Sequence, residues 1–480
     1  MPDPRSRPTM RFEPRMTEAD ALMWQIEADP VLRSTIVSVW ILDRAPDLSR
    51  FENRAERATR IIPRLRQRVV ADPLGLAPPK WEDDPDFDLR YHVRRSALPG
   101  SGTIRDLLDF AEPLAMQAFD KDRPLWELHL VDGLEGGRCA AILKLHHAIS
   151  DGVGLVRMTE CLVERGPDDD FSTRPLETPA APADAGADEP GTWDELAEAL
   201  TDRLRSGAAR WQRAARWVAR HAGEGLAHPI DSASEVGAVL ASAGRVLAPA
   251  REPLSPIMRD RSTAVRFETL AIPLDRLKRA GKAVGGTIND AFVASVAGGL
   301  GRYHDSLGAP AETLRMLMPV NVRGATDPES ENRAGNQFAP ARFEVPVSIE
   351  SPAERTKAIG RLCREQRDEP ALPWLEEITE VLGALPATLT RGLFGAMQKS
   401  TDFTTSNVPG PRRPVWMSGA RVEGFMPFGP LAGASVNVTA FSYDGTLHVG
   451  INMDPAAVGD PKLLVECLKA GFEEVLALAG

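Results

Sequence analysis

The sequence predicts a mixed α/β protein built as two lobes, and three observations lead there. Residues 1–165 alternate helical and extended patterns, residues 264–480 do so again, and residues 166–192 between them turn to Pro, Ala, Asp and Gly. Two stretches of comparable size joined by a long connection suggest a pseudo-duplicated architecture, with the functional site expected where the lobes meet. The boundaries are a first lobe at 1–165, a disordered acidic linker at 166–192, amphipathic connecting helices at 193–263 and a second lobe at 264–480.

Thr17 is placed to cap the first helix, with Asp20 supporting it from the N3 position. Residues 124–131 read as a strand closed by Asp132-Gly133, and residues 139–147 as its partner in a hairpin or meander. The linker sets Pro167, Pro175, Pro179, Pro182 and Pro190 among acidic residues, a composition that stays extended. Thr192 and Glu195 then form a capping-box pattern before Trp193, Leu196, Leu200, Leu204, Trp211, Ala215 and Val218, spaced as one helix face. Arg203, Arg205, Arg210, Arg213, Arg216 and Arg220 add a cationic stripe with no acidic residue from 203 to 222. Two readings of that helix stand open: docking on a lipid surface, or a lobe connector whose arginines face solvent. In the second lobe Thr287 can cap a helix that opens Ile288-Asn289-Asp290 and runs on through Phe292, Val293 and Val296. Residues 435–443 and 446–453 flank Asp444-Gly445, the signal of a two-residue type I′ turn, and a last helix starts at about Pro461.

With 43% hydrophobic and 26% charged residues over 480, the chain can bury a sizeable core and is not a disordered or collagen-like protein. Its net charge of -11 argues against a general nucleic-acid binder, which needs a concentrated basic surface. Cys139, Cys161, Cys363 and Cys467 lie far apart, so neither a zinc site nor a disulfide framework is expected, and a reducing, cytoplasmic compartment fits. Residues 1–10 lack the apolar core of a secretion signal, and no run of about 18 apolar residues follows, so no membrane span is expected.

The chemistry concentrates in Leu143-Lys144-Leu145-His146-His147-Ala148-Ile149-Ser150-Asp151-Gly152, which ends an apolar strand and precedes a helical stretch with Leu155, Met158 and Leu162. If the strand persists to its end, His147 shares a face with Leu145, Leu143 and Ala141, and His146 points the other way with Lys144. Two adjacent histidines thus cannot do the same job. An imidazole near its ordinary pKa of about 6.5 suits a general base at neutral pH. Asp151 follows a tight turn and is placed to orient or brace, and Gly152 lets the backbone turn. Chelation by both histidines would require the strand to break, and no further ligand cluster stands nearby, so no metal is expected. A purely structural role for the run is the remaining alternative.

The complete His-His-x3-Asp-Gly run resembles the signature of the acyltransferase superfamily that includes chloramphenicol acetyltransferase, condensation domains and wax ester synthase/diacylglycerol acyltransferases. Further matches narrow the resemblance to the last of these, the WS/DGAT family: Arg123-Pro124-Leu125-Trp126-Glu127, Asn289-Asp290, Gly335-Asn336-Gln337 and Ser406-Asn407-Val408-Pro409-Gly410-Pro411. Pro79-Lys80-Trp81, Asp86-Phe87-Asp88-Leu89, His92 and Ser442-Tyr443-Asp444-Gly445 extend it over nearly the whole chain from about Met16.

The resemblance implies two chloramphenicol acetyltransferase-like lobes with a substrate channel at their interface. Acyl-CoA is then the co-substrate, no cofactor is needed, and the acceptor is a diacylglycerol or a fatty alcohol. His147 would take the acceptor's proton, with His146 and Asp151 completing the catalytic motif and Asn289 stabilising the oxyanion, unless Asn289 only caps its helix. Pro124, Leu125 and Trp126 would form an acyl-chain wall. Gly152, Asp290, Asn336, Gln337, Ser406 and Asn407 would shape the rest of the channel. Phe292 departs from the family pattern and bears on chain-length preference. The cationic helix suits a peripheral place on a membrane or lipid droplet. Two other readings stand: a condensation-type enzyme using a carrier thioester, and a non-catalytic acyl-CoA or lipid binder.

Overall fold

The structure is a computed structural model that describes residues 12–71, 78–150, 152–169, 252–321, 338–367 and 387–480. The linker beyond residue 169 and the cationic helix expected within 193–222 lie outside the described residues, as do Asp151, Asn336 and Gln337.

The first half runs α1 (Glu18–Ile26), β1 (Thr35–Leu42), α2 (Leu48–Ile61), β2 (Gln67–Val70), β3 (Lys80–Asp83), α3 (Leu89–His92), β4 (Val93–Ala97), α4 (Ile104–Met116), β5 (Trp126–Leu134), β6 (Arg138–His146) and α5 (Gly152–Thr159). The second runs β7 (Arg266–Pro273), α6 (Leu274–Ala283), α7 (Ile288–Ser306), β8 (Thr313–Asn321), β9 (Phe338–Pro346), α8 (Pro352–Arg367), α9 (Ala387–Lys399), β10 (Phe403–Pro409), β11 (Trp416–Met417), β12 (Ala420–Phe428), β13 (Val436–Tyr443), β14 (Thr446–Met453) and α10 (Pro461–Leu476).

Local signals hold where they were read. The Thr17 hydroxyl accepts the Asp20 N–H at 3.1 Å, and β5 and β6 pair antiparallel with Trp126 opposite Leu145. Asp444 and Gly445 both take positive φ, 43° and 82°, as a type I′ turn demands, and join β13 to β14. Asp460 caps α10, and Pro461 follows where a missing N–H costs nothing.

Among the described residues the strands form two six-stranded sheets, β11-β12-β1-β6-β5-β4 and β7-β14-β13-β10-β8-β9, with β2-β3 as a separate ribbon. Chain position and sheet membership therefore disagree. The second lobe was expected to hold everything from 264 onward, but β11 and β12 belong to the first sheet, where β12 pairs antiparallel with β1 and sets Val37 opposite Phe428. An open β1 edge would leave a row of unpaired N–H and C=O groups, and β12 closes it. Burial along β12 records the crossing: Ala420 and Val422 are buried while Arg421 and Glu423 are exposed, and from Gly424 to Phe428 every residue is buried. The first part has one face in water; the second is covered on both faces.

That second part rests on the other sheet at backbone contact. A Cβ on Gly450 of β14 would lie 1.7 Å from the Pro427 carbonyl oxygen. We expect Gly450→Ala to destabilise the protein by about 2 kcal/mol, because backbone rather than a flexible side chain must give way. Chemical denaturation would show it, and an unchanged midpoint would contradict the close crossing.

The second lobe's core centres on α7, whose residues from Asp290 to Gly301 are all buried. The first lobe packs α2 and α5 on one face of its sheet and α4 on the other. The lobes are also tied beside β7: Arg105 of α4 donates to the Phe267 carbonyl at 2.7 Å and pairs with Glu268, while Glu112 accepts the Phe267 N–H.

Candidate active site

β6 ends at His146, one residue earlier than expected. His147 already belongs to the following turn, so strand alternation does not place it on the Leu145 face; that expectation is corrected. Its N–H donates to the Ser34 carbonyl at 2.9 Å, and the Ile149 N–H closes the turn on the His146 carbonyl at 3.0 Å. The His147 side chain is half-buried.

His146 does lie on the Lys144 face and is 1% exposed. Its Nδ1 accepts the Ala148 N–H at 3.0 Å, which fixes the ring proton on Nε2, and Nε2 donates to Glu27 Oε1 at 2.9 Å. Trp24 packs edge-on against the ring at 5.5 Å. With both nitrogens committed and no access, His146 cannot exchange a proton with a substrate. Its expected place among the catalytic groups becomes a bracing one.

The same face carries a charge cluster that the sequence reading missed. Lys144 is fully buried, its Nζ 3.5 Å from Glu127 Oε1 and 4.4 Å from the centre of the Phe119 ring. Glu127 Oε2 meets His129 Nε2 at 2.9 Å and Arg94 at 3.6 Å. Burial pushes the Glu127 carboxyl up, but the His129 hydrogen bond and the charges of Lys144 and Arg94 outweigh it and bring its pKa down to about 2. Burial lowers the Lys144 pKa, and Glu127 offsets part of that. The usable signal was opposite charge at directly paired positions, since Glu127 lies opposite Lys144, but it appears only once the register is known.

On the other face an apolar pocket opens between the sheet, α2 and α5. Trp126, Leu143 and Leu145 form its floor, Ala55 and Ala58 one wall, and Leu155 and Met158 the other. It therefore begins two residues before His147. Pro124, Leu125 and Trp126 are all buried. The Leu125 carbonyl accepts the His146 N–H at 3.0 Å, and the Trp126 indole N–H donates to the Leu65 carbonyl at 2.8 Å. The His92 ring stacks on Trp126 at 4.6 Å. Arg123 donates to the Asp86 carbonyl at 2.6 Å and reaches Asp84 at 3.2 Å, joining two of the motif segments.

The second lobe supplies β10, with Ser406 and Asn407 half-buried opposite Thr439 and Ala440 of β13. α5, which opens at Gly152 directly after the histidine motif, packs against this strand. Asn289 sits in the first turn of α7, and its amide donates to the Met318 sulfur at 3.8 Å. Thr287, not Asn289, caps the helix. The Asp290 carboxylate returns the cap by accepting the Thr287 N–H at 2.8 Å, and Asp290 is 1% exposed, so it serves the helix end rather than a channel wall. Phe292 is fully buried in the second lobe's core, where its ring lies 6.1 Å from that of Phe472. Among the described residues no group of three or more His, Cys, Asp or Glu could hold a metal ion, and no helix is long and apolar enough to cross a membrane.

Sequence comparison decides the family. The pattern of the wax ester synthase/diacylglycerol acyltransferase catalytic domain matches residues 16–292, and that of the WS/DGAT C-terminal domain matches residues 334–475. The chain belongs to the WS/DGAT family. A Mycobacterium tuberculosis relative named as a diacylglycerol O-acyltransferase is 37% identical, over 98% of this chain and 93% of its own length. The wax ester synthase/diacylglycerol acyltransferase of Marinobacter aquaeolei VT8 matches in structure with a TM-score of 0.61 and 22% identity, over 98% of this chain and 100% of that one. The first condensation domain of the calcium-dependent antibiotic synthetase also scores 0.61, at 18% identity over 97% and 96%. Both structures establish the fold: this WS/DGAT chain has the two-lobed, condensation-domain-like architecture. The catalytic-domain match runs past the first lobe through β7 and α6 into α7, so the family's own division follows neither lobe nor sheet.

Proposed function

We propose that this WS/DGAT protein transfers a long-chain fatty acyl group from acyl-CoA to a diacylglycerol or a fatty alcohol, with His147 as general base. The observation that carries the reading is the position of His147: a half-buried imidazole on a pinned turn, between Leu145, which lines an apolar pocket, and α5, which packs against the strand that holds Ser406 and Asn407.

The imidazole takes the acceptor hydroxyl's proton as its oxygen attacks the thioester carbonyl. The tetrahedral intermediate collapses with cleavage of the C–S bond, and the imidazolium returns the proton to the departing CoA thiolate. No acyl-enzyme is needed. Asn289 suits the oxyanion because a thioether is a weak acceptor, so its amide gives up little by turning from Met318. Asp151 is proposed to orient the base. The apolar lining at Trp126, Leu143 and Leu145 matches an aliphatic chain in polarity. Acyl-CoA is a co-substrate, and no cofactor enters the reaction.

The test is release of CoA thiol from palmitoyl-CoA with hexadecanol or dipalmitoylglycerol supplied separately. Acceptor-dependent release supports the transferase and ranks the acceptors, whereas binding without release by either acceptor favours a lipid binder. We further propose a peripheral place at a lipid surface through the arginines between 203 and 220. A chain lacking residues 193–222 is then expected to lose flotation with anionic vesicles; undiminished flotation would remove that part of the proposal.

A further inference from the structure

We propose that Glu27 is a positioning residue for the acyl transfer, fixing the backbone on both sides of His147; this rests on the reading of His147 as the base. Glu27 caps the C-terminus of α1, and its side chain is only 10% exposed. Its Oε1 accepts two hydrogen bonds, one from His146 Nε2 and one from the Ser34 N–H. Each begins a relay. The Ser34 carbonyl accepts the His147 N–H, and His146 Nδ1 accepts the Ala148 N–H. Two chains of hydrogen bonds thus leave one carboxylate oxygen and arrive at residues 147 and 148, on either side of the Cα that carries the working imidazole.

Water cannot easily replace these links, since Ser34 is 3% and His146 1% exposed. Burial pushes the Glu27 carboxyl up, but the His146 hydrogen bond, the Ser34 N–H and the Lys121 charge together hold it below the usual carboxylate range. The segment from 27 to 34 is itself held from the other lobe: Asp29 pairs with Lys399 of α9, and Leu32 is buried where Gly395 and Gly433 leave room for it. The turn bearing His147 is therefore braced by a rigid support 119 residues away in sequence.

Reach and charge are separable. Glu27→Asp keeps the charge but withdraws the oxygen by about 1.5 Å, whereas Glu27→Gln can present its carbonyl oxygen to both donors. We expect kcat of Glu27→Asp to fall about 30-fold, with KM for palmitoyl-CoA within about threefold, because a displacement near 1 Å at a reacting group costs turnover rather than binding. Glu27→Gln is expected to keep kcat within about fivefold. Both are assayed beside the intact chain and His147→Ala, with whichever acceptor drives CoA release, and the folded fraction is taken from circular dichroism and thermal melting. The positioning role is overturned if Glu27→Asp keeps more than about a third of kcat, if Glu27→Gln falls as far, or if the loss merely tracks the unfolded fraction. If His147→Ala keeps turnover, the base assignment fails and Glu27 loses its object. If His147→Ala is inactive while Glu27→Asp is active, the positioning role alone fails.

Discussion

His147→Ala is expected to lower kcat for acceptor-dependent CoA release by about 10³-fold, within the range that a positioned general base supplies. KM for palmitoyl-CoA should stay within about threefold, because in the proposed reaction the imidazole acts on the proton in flight and does not hold the acyl chain. The neighbouring histidine offers no substitute: His146 is 1% exposed, with one nitrogen accepting from Ala148 and the other donating to Glu27. The measurement is thiol release at saturating acceptor, with palmitoyl-CoA binding followed in parallel. Retention of more than about a tenth of kcat would assign the proton transfer to another group.

The second large effect concerns stability. Glu127 is 5% exposed beside a fully buried Lys144, so Glu127→Gln leaves an ammonium in the interior with its counter-charge gone. The carboxyl's pKa falls from the ordinary 4.5 to about 2 on folding, equivalent to about 3 kcal/mol. A lowered pKa gives stability that is fully present above 4.5 and is lost as pH falls through about 2. The gap between the intact protein and Glu127→Gln should therefore be widest near neutral pH and narrow steadily below about 4.5. Adding Lys144→Met removes both charges and should recover most of the loss, since an apolar pair of similar volume is often as stable as a buried ion pair. Denaturation at several pH values tests this, and a gap independent of pH would show that lost packing, not lost charge, governs the variant.

Much of the fold was legible because it is written in short-range patterns. Thr17 and Asp20, Thr287, the Asp444-Gly445 turn and Pro461 each specify an element end through bonds or dihedrals spanning a few residues, and each is found as read. The candidate site was legible in the same way as far as it is a contiguous run. His147 at the end of an apolar strand was read from the motif, whereas its face, read from alternation, failed because the strand stopped one residue short and the turn took over.

The sequence by itself thus determined the two-lobed α/β class, the family and the run proposed to carry the chemistry. Tertiary structure alone decided the rest. Which of two adjacent histidines is spent as a brace depends on Glu27, 119 residues away. Lys144 survives burial because the β5–β6 register brings Glu127 opposite it. The first sheet is completed by β12, drawn from the far half of the chain, because the open edge of β1 needs a partner and Gly450 leaves room for the crossing. A pattern of residue types fixes what a segment prefers locally. It does not state which distant segment will satisfy a buried charge, a ring nitrogen or a strand edge, and those long-range pairings decide which groups remain available to a substrate.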